Sequence, residues 1–327
     1  ISNSTISNIT LENIGSIYGL SVGGFANSIS SSEIKNISIN NIKDIYGGSG
    51  VGGFAQDIEY STLNNIKISG IDKIRANDTF RTEDVYVYGG GFAGEAHYST
   101  ISNITLNDIG TIFTFKVSDP ELIYDSKGYL GGFVGNTYNG IFQNIAINGI
   151  NSISSNNNAG GFAGYTNIAD FSNIAINNIG SISSNYHVGG FAGYISNGNF
   201  NNIAINNIGT IQANNTVNTV YSAGFAGNIM SGTLNNIVLN NIGTIFGSGI
   251  EVSCEDSNGI CRGGIGGFVG GLGISDNTAS VSLSNITLNN VKNITGDGST
   301  GGFVGFLRKN AQAKLSNITL NDIDSIT

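Results

Sequence analysis

Two cysteines, two histidines and a scatter of carboxylates are the residues of this chain best suited to chemistry. Cys254 and Cys261 sit in the segment SCEDSNGICRGG with six residues between them. Two thiols at that spacing can close a small loop as a disulfide, which implies an oxidising compartment. No histidine lies near them, so a zinc site with its four Cys or His ligands is not expected. His97 and His187 fall in different repeats and are expected on surface loops, where they cannot join in a Ser-His-Asp relay. Glycoside hydrolysis would need two carboxyls on one face, about 5–10 Å apart. The acids instead concentrate in irregular segments, at Asp78, Glu83, Asp84, Asp119, Glu121, Asp125, Glu251, Glu255 and Asp256, and are expected to be solvated loop charge. No catalytic, metal or cofactor set emerges, so the chain reads as non-enzymatic. A secreted carbohydrate-active lyase or hydrolase is the alternative.

The elements that would position any site are dictated by repetition. The phrase G-G-F, or A-G-F, places phenylalanines at Phe25, Phe54, Phe92, Phe133, Phe162, Phe191, Phe225, Phe268 and Phe303. A second phrase, N-I-x-[IL]-x-x-[IV]-x-x-I, begins at Asn8 and recurs to Asn317. The shortest spacing between phenylalanines is 29 residues, and longer spacings are the same unit with insertions. Self-similarity at such a period signals a solenoid or an array. Within one unit, Ile174 and Ile176 alternate with Asn173 and Ala175, a strand period of two. Ile179 and Ile182 break that period, and Asn177, Asn178 and Gly180 are residue types that tolerate a corner. The spacing predicts an all-β parallel β-helix, a single solenoid domain over 1–327 of about ten rungs, with the nine phenylalanines stacked as a structural ladder. A propeller blade needs about 40–45 residues, too many for this unit.

Composition agrees. The chain is 39% hydrophobic and only 11% charged, unlike a disordered chain. A net charge of −9 with 13 basic residues argues against a nucleic-acid surface, which needs clustered Lys and Arg. No run of 18 apolar residues is present, so insertion of this segment into a membrane as a helix is not expected. The text begins and ends inside a repeat, which reads as a segment of a longer repeat protein. Sequons at Asn8, Asn36, Asn103, Asn285 and Asn317 coincide with the strand phrase, so repetition alone explains them.

GGFAG and GGFVG, each followed by a polar stretch and an N-I strand, resemble the GLUG-type repeats of bacterial surface proteins. They are also similar to autotransporter passengers and filamentous-haemagglutinin-like adhesins. The best match is GGFVGNTYNGIF, ending at Phe142. The resemblance implies secretion or display at the cell surface, a right-handed β-helix and an adhesive or structural role. A toxin passenger would look the same. Implied partners are a host cell surface, a glycan or matrix protein, or copies of the chain itself. Binding residues concentrate on loops held by rigid scaffolds, here the insertions 75–90, 113–130, 212–222 and 246–266. The first two are expected side by side, with Tyr86, Tyr88, Phe115 and Tyr124 as binding residues.

Overall fold

The repeat phrase spaces its isoleucines by two and then by three, and one backbone device accommodates both. The computed structural model describes residues 1–77, 86–115, 127–216, 218–249, 252–254, 259–261, 263–273, 280–308 and 311–327. In it the phrase of each repeat is one long bent strand, such as Ala169–Ser184 and Gly198–Asn214. Ile174, Ile176, Ile179 and Ile182 are all buried. Asn173 (φ 56°), just ahead of Ile174, and Asn178 (φ 60°), between Ile176 and Ile179, adopt the left-handed conformation. Each left-handed residue adds an outward-facing position, bends the strand and turns the next isoleucine back inward. Asparagine suits this position because its short polar side chain tolerates that region better than other L-residues. Asn173 is therefore a corner, not the plain strand residue that alternation suggests. Every long strand carries such a pair, with Gly70, Asp108, Gly149 or Asp322 standing in at the second position.

Each long strand pairs in parallel with that of the next repeat, like residue against like: Ile174 with Ile203, Ile176 with Ile205, Ile179 with Ile208. The long strands Thr5–Gly23 and Glu33–Gly52 themselves run up to the first two G-G-F phrases, whereas from Phe92 onward two short strands bracket each, for example His187–Gly189 and Ala192–Ile195. They too pair in parallel with their counterparts one repeat on. The described strands make a 17-stranded and a nine-stranded parallel sheet and one two-stranded antiparallel hairpin, and no helix occurs among the described residues. The fold is all-β and parallel.

The nine phenylalanines form one continuous stack. Successive ring centroids lie 4.7–5.1 Å apart and the rings are near parallel. Phe142, Phe171 and Phe200 form a second stack, packed edge-on against the first. The glycines ahead of each Phe are required by close approach. A Cβ on Gly161 would stand 2.1 Å from the Gly190 carbonyl oxygen, and one on Gly160 2.1 Å from that of Ala163.

Asparagine amides form ladders on the outside of the bends. Asn36 donates to Asn8, Asn65 to Asn36, Asn173 to Asn144 and Asn202 to Asn173, over 2.6–2.9 Å. The sequon asparagines of the strand phrase are thus exposed, and stacking rather than burial restrains them.

The backbone does not place Cys254 and Cys261 for the expected disulfide. An antiparallel hairpin sets Val252–Cys254 against Gly259–Cys261, with Cys254 opposite Gly259 and Cys261 opposite Val252. Diagonal positions of such a pair are about 7–8 Å apart at Cα, beyond the span of a bridge without backbone movement. The side chains of both cysteines lie outside the described residues.

Phe162→Ala should cost about 3–5 kcal/mol, since its ring is fully buried and faces Phe133 and Phe191 in the stack. Thermal denaturation should show a larger loss than Tyr18→Ala, which removes an exposed ring. Gly161→Ala should also destabilise, because the group its Cβ would strike is backbone that cannot rotate away.

Candidate functional site

The two short strands of each repeat run back to back around the G-G-F corner. Their closeness depends on the glycine that follows Phe-Ala or Phe-Val. A Cβ on Gly94 would lie 3.1 Å from the Tyr88 carbonyl oxygen, one on Gly135 2.7 Å from that of Tyr129 and one on Gly193 2.9 Å from that of His187. Outward side chains of the two strands are thereby brought into one strip running across the repeats. One row of the strip is Tyr88, Tyr129, Asn158, His187 and Tyr221, in register. The other is Asp57, Glu95, Asn136, Tyr165, Tyr194 and Asn228.

The middle of the strip is phenolic. Tyr88 and Tyr129 stack at 5.7 Å, Tyr129 reaches Tyr165 across the rows at 5.8 Å, and Tyr165 stacks on Tyr194 at 5.4 Å. Tyr86 joins Tyr129 at 5.5 Å and carries the Lys127 ammonium over its ring at 5.6 Å. Burial, then the nearby Glu95 carboxyl and neighbouring phenols, pushes the Tyr88 hydroxyl upward. Burial, with Tyr86 and Tyr165 beside it, pushes Tyr129 up to about 12. Both phenols stay protonated at physiological pH and can donate hydrogen bonds. Because these rings stack on one another, they present edges and hydroxyls rather than open faces.

One end of the strip is acidic. Asp57 and Glu95 are in-register neighbours on adjacent parallel strands, as are Glu59 and His97. The Glu95 carboxylate gathers the donors: Asn136 Nδ2 at 3.3 Å, His97 Nε2 at 3.2 Å and Gln56 Nε2 at 3.5 Å. Asp57 has Ser28 Oγ at 3.5 Å. Its carboxyl is raised above 3.8 by burial first, and then by Glu95 and Glu59. Burial and two neighbouring carboxyls together favour the protonated form of Asp57. Among the described residues, no group of three or more His, Cys, Asp or Glu is arranged to hold a metal.

The other end is closed by His187. Its ring stacks on Tyr221 at 5.2 Å and meets Tyr194 edge-on at 5.2 Å. Burial lowers its pKa to about 4, so the neutral ring donates from Nδ1 to Asn158 Oδ1 at 3.0 Å.

The strip takes in Tyr86 and Tyr88, whereas Tyr124 and the side chain of Phe115 lie outside the described residues. Where described, the insertion flanks run side by side, Tyr86–Gly90 against Lys127–Gly131. The nine-phenylalanine ladder lines the core and takes no part in the strip. Two expectations are corrected. Neither histidine is on a loop: His97 ends the strand Ala93–His97 and His187 opens His187–Gly189. Carboxyls do occupy regular positions of adjacent repeats. Asp57 and Glu95 both stand three residues after a ladder phenylalanine, so aligning the repeats on Phe54 and Phe92 would have found them.

An unfolded histidine takes up its proton near 6.5, while His187 in the folded chain waits until about 4. The unfolded state therefore binds more protons in this window, and stability should fall as pH drops from 6.5 to about 4. A His187→Gln chain should lose that slope in melting temperature against pH; an unchanged slope would contradict the placement of the ring. Tyr129 acts in the opposite direction, with stability lost as pH rises from 10 to about 12.

No family model, curated protein or solved structure matches the chain.

Proposed function

We propose that the chain is a right-handed parallel β-helix of about ten rungs, exported to the cell surface or beyond. It serves there as an adhesive or structural rod that displays the tyrosine strip. The observation that carries this reading is the unbroken like-on-like register from Ile9 to Ile318. Each repeat leans only on its neighbours, as in quasi-one-dimensional repeat proteins. Resemblance of the G-G-F-[AV]-G phrase to GLUG-type surface proteins, autotransporter passengers and haemagglutinin-like adhesins supports export and adhesion. The partners that fit are a host surface, a glycan or matrix protein, or further copies of the chain. Ten strands at about 4.8 Å spacing make a rod on the order of 50 Å long, and small-angle scattering should return that length. Immobilised chain should retain cells, matrix protein or glycan, and Tyr86→Ser with Tyr165→Ser should weaken retention. A globular scattering profile, or full retention by the double variant, would overturn this reading.

A second reading, a secreted carbohydrate-active enzyme, is favoured by one observation: the in-register carboxyls of Asp57 and Glu95 with their unequal surroundings. Incubation with neutral and acidic polysaccharides should then release products, and Glu95→Gln should abolish the release. Absence of products from the unaltered chain would leave the rod alone.

A further inference from the structure

Away from the strip, another corner of the repeat carries residues that its backbone disfavours. The position closing the strand after G-G-F is left-handed in successive repeats: Asn3 (φ 48°), Ser31 (φ 49°), Tyr60 (φ 48°), Tyr98 (φ 50°), Asn139 (φ 52°) and Ile168 (φ 50°). Asparagine is at home there, whereas a tyrosine is not. Residues held in such a region against their preference cluster at ligand sites. Tyr60 is also 60% exposed, so burial does not explain its retention.

The surroundings of Tyr60 differ on its two sides. One ring face lies on Tyr98, with centroids 4.9 Å apart and planes 8° from parallel. On the other side the ladder continues with the small residues Ser31 and Asn3. A depression of about 520 Å³ opens there, lined by Tyr60 together with Asn3, Ser31, Ser32, Glu33 and Thr62. Of these, Glu33 has its Oε1 2.8 Å from Lys35 Nζ. One open aromatic face with hydroxyl and amide groups around it makes a shallow, largely solvent-open recess. Tyr165 and Tyr194, stacked on each other in the strip, offer no comparable face.

We propose that this recess binds one neutral pyranose unit of a glycan. The flat C–H face of the sugar lies on the Tyr60 ring, and its hydroxyls are taken by Ser31, Asn3, Thr62 and the Glu33 carboxylate. An aromatic ring with polar neighbours recognises an amphipathic ligand of this kind, which has an apolar face and a polar edge. The inference deepens the adhesive reading by naming a glycan unit, but the recess shares no residue with the strip, so substitutions in the strip test the one and substitutions at Tyr60 the other.

The test is saturation-transfer NMR on the whole chain with methyl β-D-glucopyranoside and methyl β-D-galactopyranoside as probes. Transfer should concentrate on the ring C–H protons of one sugar face. Tyr60→Gly should abolish it while the melting temperature holds or rises, because glycine accepts φ 48° without strain. Tyr60→Asn, a second residue suited to this corner, should abolish it as well, and Tyr86→Ser should leave it intact. No transfer to either glycoside from the unaltered chain, or undiminished transfer in both Tyr60 variants, would overturn the proposal.

Discussion

Everything in this molecule depends on stacking a residue on its own kind. In a parallel sheet with zero offset between repeats, each side chain meets its counterpart one strand away. Such a stack is favourable only for side chains that are complementary to themselves. Aliphatic and aromatic groups qualify through contact, as the isoleucine rows and the phenylalanine stack show. The carboxamide qualifies among polar groups because it both donates and accepts. A second ladder outside the bends makes the point: Asn177 donates to Asn148, Asn206 to Asn177 and Asn240 to Asn206, over 2.8–2.9 Å. A carboxylate does not qualify, since like charges directly opposite repel. Asp108 stands at a bend position, and its neighbours in the stack are Gly70 and Gly149, so no second carboxylate opposes it.

That rule makes departures from self-stacking informative. Asp57 beside Glu95 is one. Two acids sit where the frame would ordinarily place neutral groups, and Asp57 responds by holding its proton more firmly. Tyr60 is another, since a bulky ring occupies a bend that suits asparagine. The frame tolerates both because its stability is spread over repeats, and each inner repeat has its own buried isoleucines and phenylalanine. A local cost of about 1–3 kcal/mol at a strained residue is small beside that. Chemistry and recognition can therefore be introduced one repeat at a time without disturbing neighbours.

Much of the frame was legible from residue order. The phenylalanine stack, the inward isoleucines and the all-β parallel class follow from two short phrases and their period. Asn178 was readable as a corner because two spacings of isoleucine meet there. Asn173 was not, since alternation through it looks undisturbed and only the left-handed φ shows the bend. The histidines were misjudged because each stands at the end of a short strand beside turn-forming residues, so His97 and His187 looked like loop residues. The Asp57 and Glu95 pairing was legible in principle, by counting from Phe54 and Phe92. It escaped notice because the densest acids lie in the insertions.

The sequence by itself determined the frame: which residues turn inward, which stack, and how the chain steps from repeat to repeat. It does so because the period is local and every repeat states it again. Tertiary structure decided what faces what across the G-G-F corner. The meeting of Tyr129 with Tyr165 joins residues of different repeats, and that of His187 with Tyr194 joins the two strands around one G-G-F corner. The single open face of Tyr60 likewise depends on small residues at the same corner of earlier repeats. Such contacts follow from the angle at which two backbones converge over glycine. That angle is a property of the packed chain and is written in no single repeat.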